Sequence, residues 1–311
     1  MRLFEFKQTF DFMGRRRPAA ILSAVLLIIS VGSFFVRGFN LGIDFTGGTL
    51  IEVGYPEPVS LENVRPILAE AGFENAIVQH FGTTKDVLIR LAPKSSAERE
   101  TIGDRVFAAL KQASGNQLEL KRVEFVGPQV GEELREKGGL AMLYALIGIL
   151  IYVALRFEYR FSVGAIAALV HDVLITLGFF SLFGVRFDLT VLAALLAVIG
   201  YSLNDTIVVY DRIRENFRKI RKGSPASVIN TSINETLSRT LMTSLTTLLV
   251  LFALLFLGGE AINAFALALI VGVFIGTYSS IFVASTTTLA LGVSKTDLMP
   301  VKKEGEEDYR P

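Results

Sequence analysis

Cysteine and tryptophan are absent from the 311 residues of the chain, and histidine occurs only twice. The lack of cysteine excludes disulfides, zinc ribbons, thiolate metal sites and cysteine nucleophiles. Two histidines are too few for a multi-histidine metal centre. The sequence also has no large excess of basic over acidic residues, because 31 basic residues nearly balance 30 acidic ones. The overall charge therefore does not indicate nucleic-acid binding. The composition therefore argues against a soluble enzyme that uses metal or thiol chemistry.

Long uncharged runs dominate what is present. Each of these runs reaches roughly the 20 residues that cross a bilayer as a helix: 18–36, 138–155, 240–259 and 261–294. Two more runs, 161–185 and 189–210, are long enough but contain ionisable residues. The sequence therefore predicts six transmembrane helices. The first run lacks an Ala-x-Ala site and is longer than the apolar core of a signal peptide, which favours a retained span.

Basic residues beside the spans predict the orientation of the chain, because they concentrate in cytoplasmic segments. With the N-terminus inside, the cytoplasmic segments hold 18 of the 31 basic residues, whereas the short outer loops carry only Arg186. Both termini are therefore expected in the cytoplasm. The expected division is a cytoplasmic segment at 1–17, a first transmembrane helix at 18–36, an outer domain at 37–137, a five-helix membrane region at 138–293 with a cytoplasmic amphipathic loop at 211–239, and a cytoplasmic tail at 294–311.

The outer domain shows alternating strand and helix signals. Residues 48–55, 76–81, 86–91 and 118–126 read as strands, and serines mark helix starts at Ser60 and at Ser95-Ser96. The order β-α-β-β-α-β is that of a ferredoxin-like split unit. No catalytic constellation occurs in it, so this domain is expected to bind or move. The predicted fold is a polytopic α-helical membrane protein with a ferredoxin-like α+β domain outside the cytoplasm.

The basic amphipathic stretch 211–222 follows the fourth span. Ile213, Phe217 and Ile220 lie on one side of it, and basic residues surround them. We expect this stretch to lie along the inner membrane surface.

Asp205 is the strongest candidate for a functional residue in the membrane. A carboxylate at membrane depth costs at least ~2.5 kcal/mol and marks a functional site by default. Asp205 lies 17 residues after Asp188, or about 25 Å at 1.5 Å per residue, near the inner surface but inside the apolar layer. The alternative is that it only reaches toward the headgroups, which a short side chain does poorly.

Arg239 is the predicted partner of Asp205. It opens the fifth span at a similar depth, although an ordinary positive-inside flank explains Arg239 alone equally well. Burial disfavours the charged form of a carboxyl group, whereas a nearby arginine favours that form. Such a pair can therefore load and release a proton. No P-loop or GxGxxG motif occurs, so the expected coupling ion is the proton and no cofactor is predicted.

Other polar groups lie inside the spans. The adjacent residues His171 and Asp172 lie near mid-membrane and form either a second relay or gate, or a single structural hydrogen bond. Hydroxyl side chains continue from Thr240 to Thr247 and either line a water path or pack against a neighbouring helix. The possible secondary relay or gate positions are His171, Asp172, Asn204, Ser202 and Thr243.

Four blocks of sequence carry a resemblance to a known family: Gly-Ile-Asp-Phe-Thr-Gly-Gly at 42–48, Val-Gly-Pro-Gln-Val-Gly-Glu-Glu-Leu at 126–134, the block 200–216 around Asn-Asp-Thr, and Asn-Glu-Thr-Leu-Ser-Arg-Thr at 234–240. Together they closely resemble the SecF branch of the SecD/SecF family, accessory subunits of the bacterial protein translocase within the resistance-nodulation-division (RND) superfamily. A full RND unit has two outer domains and twelve spans. One domain and six spans therefore indicate half of such a unit.

The resemblance implies a function in protein export. It implies that the chain pairs with SecD, docks on the SecYEG channel and uses the proton-motive force to move unfolded exported polypeptides across the bacterial inner membrane, in contact with lipid and with no nucleic acid. The family's Asn-Asp-Thr aspartate matches Asp205 and its Ser-Arg-Thr arginine matches Arg239, which implies proton coupling by both. The motif residues with an expected structural role are Asp44, Gly47, Gly48, Gly127, Pro128 and Gly131.

Two alternatives stay open. The first is half of an RND-type, proton-driven exporter of small molecules, which would need an aromatic-lined cavity in the outer domain. The second and more remote one is an intramembrane aspartyl protease, in which Asp172 and Asp205 would share a proton within ~3 Å. Their different depths and the lack of a Gly-x-Gly-Asp motif argue against the protease. We expect that the chain is not an enzyme.

Overall fold

The computed structural model of the protein describes residues 9–92, 99–114, 117–220 and 222–294. Nearly all of the expected tail at 294–311, the first part of the expected segment at 1–17 and the helix start at Ser95-Ser96 lie outside the described residues. The described chain begins with the long apolar helix α1, Arg16–Val36. A short strand, β1 (Asn40–Leu41), and a single helical turn, α2 (Ile43–Thr46), follow it.

A four-stranded sheet with two helices comes next, and we call it the sheet domain. Its elements in chain order are β2 Gly48–Gly54, α3 Leu61–Glu70, β3 Ile77–Phe81, β4 Thr83–Leu91, α4 Arg99–Ala113 and β5 Glu119–Val126. The strands lie in the order β3-β4-β2-β5, and all neighbours are antiparallel. This is the split β-α-β arrangement that the sequence predicts.

One face of the sheet forms the core of this domain. Ile51 of β2 and Ile89 of β4 are buried in one cluster with Leu68 of α3 and Val106 of α4. Successive strand residues point to opposite faces, so the alternating apolar positions all reach the helices. At the start of α3, the Ser60 hydroxyl accepts a hydrogen bond from a backbone N–H in the first turn, as its position predicts.

The remaining spans follow the sheet domain. They are α5 Pro128–Arg156, α6 Tyr159–Phe183, α7 Leu189–Lys219, α8 Pro225–Leu257 and a sixth span made of α9 Glu260–Ser279, a π-helical turn Ser280–Ala284 and α10 Ser285–Ala290. A two-residue strand, β6 (Arg186–Phe187), connects α6 to α7. In the described part of the chain, six helical segments are long and apolar enough to cross a membrane, so the predicted six spans are confirmed.

Helix α5 begins earlier than the uncharged run at 138–155. Its first residue is Pro128, and proline suits the first turn of a helix because its missing N–H has no partner there. The charged residues at 132–137 therefore lie on a helix that leads directly from the last strand of the sheet domain into the membrane span. Sheet domain and second span are consequently joined without a flexible loop.

Helix α7 lies at the centre of the bundle. It packs against α6, α8 and α9, whereas α1 packs mainly against α6. Glycines permit these close contacts, since a Cβ atom at Gly272 of α9 would overlap the side chain of Val198 on α7, and one at Gly276 would lie 3.0 Å from Ser202 Cβ. The G-x-x-x-G pair of the sixth span thus lets α9 approach α7 closely.

The structure corrects the expectation for the stretch 211–222 and for the loop at 211–239. Helix α7 continues through Lys219, and α8 begins at Pro225. Ile213 and Phe217 are buried in one cluster with Ile229 of α8. The apolar side of this stretch therefore packs within the protein instead of lying on the membrane surface. An amphipathic pattern shows that one face is covered, and here the first turns of α8 supply that cover.

Candidate functional site

Asp205 lies in the buried interior of the bundle. Only 2% of its surface is exposed, and its Oδ2 atom is buried with no hydrogen-bond partner among the described residues. A buried, unpaired carboxylate is costly in its charged form, so such a group must be neutralised by a proton or by a nearby cation. The structure therefore places Asp205 where a change in protonation has a large energetic effect.

Arg239 on α8 is the cation that acts on Asp205. The two side chains interact electrostatically, but no nitrogen of Arg239 lies within the 4.0 Å that would make an ion pair. Arg239 itself is exposed. The prediction that α7 and α8 bring these residues to the same region therefore agrees with the structure, although the two side chains are not in direct contact.

Hydroxyl groups join α7, α8 and α9 near this pair. The Tyr201 hydroxyl donates to Ser244 Oγ at 3.1 Å, and Ser244 Oγ lies 2.7 Å from Thr277 Oγ1. The buried hydroxyl of Thr240, one turn before Ser244, has no hydrogen-bond partner among the described residues. Part of the hydroxyl stripe therefore packs against neighbouring helices. Thr240 is left with an unused donor.

His171 and Asp172 form the centre of a second buried network. His171 Nδ1 lies 2.9 Å from Asp172 Oδ1. Asp172 Oδ2 accepts hydrogen bonds from Ser202 of α7 at 2.5 Å and from Ser279 of α9 at 2.7 Å. Asp172 thus connects three helices through one carboxylate, and all of these residues are buried.

The same network continues to the first span. His171 Nε2 lies 3.2 Å from Ser23 Oγ on α1, and Ser23 Oγ lies 2.9 Å from the Tyr278 hydroxyl on α9. Asp172 therefore faces α7 and α9, while His171 faces α1. The sequence left open whether this dipeptide makes one structural hydrogen bond or more, and the structure gives it contacts to three other helices.

Asp172 and Asp205 do not form an acid dyad. Both Asp172 oxygens are hydrogen-bonded, to His171, Ser202 and Ser279, and Asp205 is not among these partners. A shared proton requires two carboxyl groups within ~3 Å of each other. The geometry described here therefore does not support an aspartyl protease.

Two of the predicted secondary positions lie outside these networks. Asn204 is exposed, and it points about 100° around α7 from its neighbour Asp205. Thr243 Oγ1 donates to the carbonyls of Arg239 and Thr240 on its own helix. Of the five secondary candidates, the structure brings together His171, Asp172 and Ser202.

The opposite end of α7 is fastened to the segment that leads into the sheet domain. Strands β1 and β6 pair in parallel, and the backbone N–H of Gly42 donates to Phe187 O at 2.8 Å. The backbone N–H of Leu189, the first residue of α7, donates to Asp44 Oδ2 at 3.0 Å. A carboxylate at a helix N-terminus satisfies a free N–H and complements the helix dipole. Asp44 therefore contacts the same helix that carries Asp205.

Glycines bring together the two chain segments that connect the sheet domain to the membrane, one before β2 and one after β5. Gly47 has φ +67°, and a Cβ atom there would lie 2.8 Å from Pro128 Cα. A Cβ atom at Gly131 would lie 2.7 Å from Gly47 N. These close approaches bring both glycine-containing motifs into one cluster, which we call the glycine joint; its residues are Asp44, Gly47, Gly48, Gly127, Pro128 and Gly131.

Sequence reasoning missed several members of the buried network. Ser279, Ser23 and Tyr278 lie in apolar spans, and no periodic pattern distinguishes them from packing residues. One signal was available, because the last part of the sixth span is rich in serine and threonine. The π-helical turn Ser280–Ala284 begins directly after Ser279, and such turns are frequent at functional sites.

A cavity of about 420 Å³ lies between the sheet domain and the outer ends of the spans. Its polar and charged lining includes His80, Arg122, Glu124, Arg186 and Asp188, and Phe81 is its one aromatic residue. This cavity does not have the aromatic lining that an exporter of small molecules would need.

Residues 106–294 match the family described as protein export membrane protein SecD/SecF, C-terminal, and residues 32–58 match the SecD/SecF GG motif. The chain is 51% identical to the protein translocase subunit SecF of Vibrio alginolyticus, with 98% of each chain covered. It is 52% identical to the protein translocase subunit SecF of Pseudomonas aeruginosa, with 97% of this chain and 98% of the relative covered.

A solved structure also matches. The crystal structure of SecDF, a translocon-associated membrane protein from Thermus thermophilus, matches with a TM-score of 0.82 and 44% identity over 93% of this chain. The chain spans 39% of the length of that SecDF chain. A structure of SecDF in a super-membrane-facing form matches with a TM-score of 0.69 and 43% identity.

Proposed function

The chain belongs to the SecF family of protein translocase subunits, and on that premise we propose that it couples the proton-motive force to polypeptide export across the inner membrane. The relatives are named as translocase subunits, and a multi-pass protein of the inner membrane agrees with the six spans. The observation that carries the proposal is the buried Asp205 carboxyl with an unpartnered oxygen beside Arg239.

Protonation of Asp205 is the proposed switch. In the charged state, the carboxylate attracts Arg239 and favours a closer approach of α8 to α7. In the neutral state this attraction is lost, and the gap between the two side chains widens or stays open. A membrane potential supplies ~2.3 kcal/mol per charge per 100 mV, and this shifts a two-state equilibrium by between one and two decades.

Helix α7 is the proposed route from Asp205 to the sheet domain. The inner half of α7 carries Asp205, and its first residue is bonded to Asp44 of the glycine joint. Helices are stiff along their axes, so a shift of α7 is transmitted to the joint and from there to β2. Exported polypeptides at the outer surface would then experience movement of the sheet domain.

SecD is the proposed partner, and the SecYEG channel is the proposed docking site of the pair. The solved SecDF chain is much longer than this chain, and six spans with one outer domain make half of an RND-type unit. Both termini are proposed to be cytoplasmic, which places the sheet domain on the side where exported chains emerge. Protons are the proposed coupling ion, with no cofactor.

The decisive experiment uses Asp205→Asn in cells that contain SecD. This variant keeps the shape of the side chain but cannot carry the charge. We expect normal assembly with SecD and loss of the part of export that depends on the proton gradient. Export of a secreted reporter is measured with and without an uncoupler, which collapses the gradient.

Asp211→Asn is the matched control. Asp211 lies on the same helix, but it is exposed and paired with Arg156 at 3.0 Å. Removal of its charge should leave gradient-dependent export unchanged. Full gradient-dependent export by the Asp205→Asn variant, at a normal level of protein in the membrane, contradicts the proposal.

A further inference from the structure

A groove of about 520 Å³ runs along the first span, between α1, α6 and the end of the sixth span. Small side chains of α1 form one wall, among them Ala19, Ala20 and Ala24. Leu174 of α6 and Phe282 of the π-helical turn contribute to the other walls. The groove belongs neither to the Asp205 site nor to the glycine joint.

The two ends of the groove differ in polarity. Arg16, the first residue of α1, lines the end near the start of the chain, and Thr286 lies at the same end of the sixth span. Thr286 Oγ1 is buried and has no hydrogen-bond partner among the described residues. Among the described residues, Arg16 donates one hydrogen bond, from Nη1 to Met13 O at 3.2 Å, and a guanidinium has five N–H donors. Donors for an anion are therefore available at this end.

The groove has the length of one bilayer leaflet. Its lining extends along α1 from Arg16 to Leu27, which corresponds to about 16 Å at 1.5 Å per residue. Half of the hydrocarbon core of a bilayer is ~15 Å thick. An apolar occupant that enters with its polar end at Arg16 would therefore reach the midplane with its tail.

We propose that this groove binds one acyl chain of an anionic phospholipid, with the phosphate of the headgroup at Arg16 and Thr286. Three consecutive arginines, Arg15, Arg16 and Arg17, lie at this boundary and favour a negative headgroup over a zwitterionic one. The alanines and leucines below them fit an alkyl chain. The lipid belongs to the leaflet at which α1 begins.

The tail of the bound lipid reaches the buried network. Ser23 and His171 both line the deep part of the groove, and they are hydrogen-bonded to each other. The acyl chain thus covers the hydrogen bond that joins α1 to α6 and shields it from water. This assignment concerns a lipid site and does not depend on proton coupling by Asp205.

The test measures lipid retention by native mass spectrometry of the full-length chain, released from detergent with added lipid. The two probes are palmitoyl-oleoyl phosphatidylglycerol and palmitoyl-oleoyl phosphatidylcholine, which have identical tails. We expect the wild-type chain to retain the phosphatidylglycerol preferentially. Arg16→Ala should lower this preference about fivefold, or ~1 kcal/mol, because it removes the guanidinium that is proposed to bind the phosphate.

Arg17→Ala is the control for charge. Arg17 lies beside Arg16 and carries the same charge, but it is exposed and does not line the groove, so its loss should leave the preference near the wild-type value. An equal loss in both variants would mean diffuse attraction by the arginine cluster and would overturn the proposal. Equal retention of the two lipids by the wild-type chain would also overturn it.

A second pair of variants tests the apolar part of the groove. Ala20→Phe fills the groove and should lower retention of both lipids, whereas Ile21→Phe adds bulk on the exposed side of the same helix and should not. Unchanged retention in Ala20→Phe contradicts the proposal. The same measurement on the complex with SecD tests whether that partner covers the groove. Loss of the lipid in the complex would assign the groove to a helix of SecD and overturn the proposal.

Discussion

Asp172 and Asp205, which are both buried within the membrane bundle, have opposite environments. Asp172 receives hydrogen bonds from two serines and a histidine, whereas Asp205 Oδ2 receives none from the described residues. Satisfied buried polar groups stabilise and specify a fold, while unsatisfied ones lower its stability. We therefore propose a structural role for Asp172, which ties helices together, and a switching role for Asp205.

The first prediction concerns the stability that Asp172 provides. Asp172→Ala leaves the buried donor of Ser202 without an acceptor and His171 Nδ1 without a partner, whereas Ser279 keeps the carbonyl of Gly276 at 3.2 Å. Each unsatisfied group costs about 1–3 kcal/mol. We expect a clearly lower unfolding temperature for the detergent-solubilised chain. Asp211→Ala, which breaks an exposed ion pair with Arg156, should cost less than about 1 kcal/mol. Equal effects of the two variants would show that the network adds no stability.

The second prediction concerns the loss of stability that the buried Asp205 carboxyl causes in the wild-type chain. Asp205→Leu replaces a buried, incompletely bonded carboxyl by an apolar side chain with the same number and branching of heavy atoms. Since the replaced group lacks a hydrogen bond, we expect an unchanged or higher unfolding temperature together with loss of gradient-dependent export. Residues that are kept for function at the expense of stability behave in this way. A large drop in unfolding temperature would instead show that Asp205 has a structural role.

At the scale of elements, the glycine joint links two chain segments that are distant in sequence. Helix α2 and the start of α5 meet there because Gly47 and Gly131 have no side chains. Strands β1 and β6 add a parallel ribbon that ties the same region to α7. The sheet domain is therefore held at three points, namely α1, α5 and α7, and moves with these helices.

The third prediction tests the packing of the joint. Gly131→Ala places a Cβ atom 2.7 Å from Gly47 N, so α5 must move away from α2. We expect a destabilisation of about 1–3 kcal/mol, as for overpacking elsewhere. Gly139→Ala is the control on the same helix, because its added Cβ has no described atom within 4 Å. The unfolding temperatures of the two variants are compared, and equal values would mean that the close approach is not required.

The fourth prediction tests whether the ribbon moves as one unit. Leu41 and Phe187 are directly paired in β1 and β6, and paired strands lie ~4.8 Å apart, a spacing that a disulfide can bridge. Because the chain has no cysteine, the double variant Leu41→Cys, Phe187→Cys contains a single possible disulfide. We expect export to be equal in its oxidised and reduced forms. Loss of export on oxidation, with recovery on reduction, would show that the ribbon must open during the cycle.

The elements show which parts of the fold a single sequence can specify. Uncharged runs gave the number and order of the spans, because a bilayer imposes a fixed length on any helix that crosses it. The amphipathic stretch after the fourth span was placed wrongly, since its pattern shows only that Ile213 and Phe217 are covered. Whether a membrane surface or α8 covers them depends on tertiary packing, which no local pattern contains.

The candidate site was predictable to the same extent. Asp205 and Arg239 stood out because ionisable residues are rare at membrane depth. The partners of Asp172 did not, since serines such as Ser202 and Ser279 pack in many membrane helices without a special role. They are recognised only when three helices come together around one carboxylate.

At the scale of the whole molecule, one face of the central helix has no neighbour within the part of the chain that the structure describes. The residues Ala193, Ala197, Gly200 and Asn204 follow each other along α7 at helical spacing, and all are exposed. Small residues permit close helix packing. An asparagine that faces lipid is unfavourable unless another polar group pairs with it. We therefore expect this face to contact SecD in the assembled complex.

The fifth prediction tests that contact. At Gly200 no atom of the described residues lies within 4 Å of an added Cβ, so Gly200→Leu should leave the unfolding temperature of the isolated chain unchanged. It should nevertheless lower the amount of SecD that co-purifies by about tenfold, or ~1.4 kcal/mol, because the bulky side chain separates two closely packed helices. Gly148→Leu is the matched control, since its added Cβ also meets open space, but on α5.

If SecD co-purifies normally with the Gly200→Leu variant, another face of the bundle must hold the partner. If both variants lose SecD, a bulky side chain anywhere in the membrane region weakens the complex, and the result does not locate the contact. Loss in Gly200→Leu alone places the partner against the helix that carries Asp205, so that both halves of the unit would respond to the same proton.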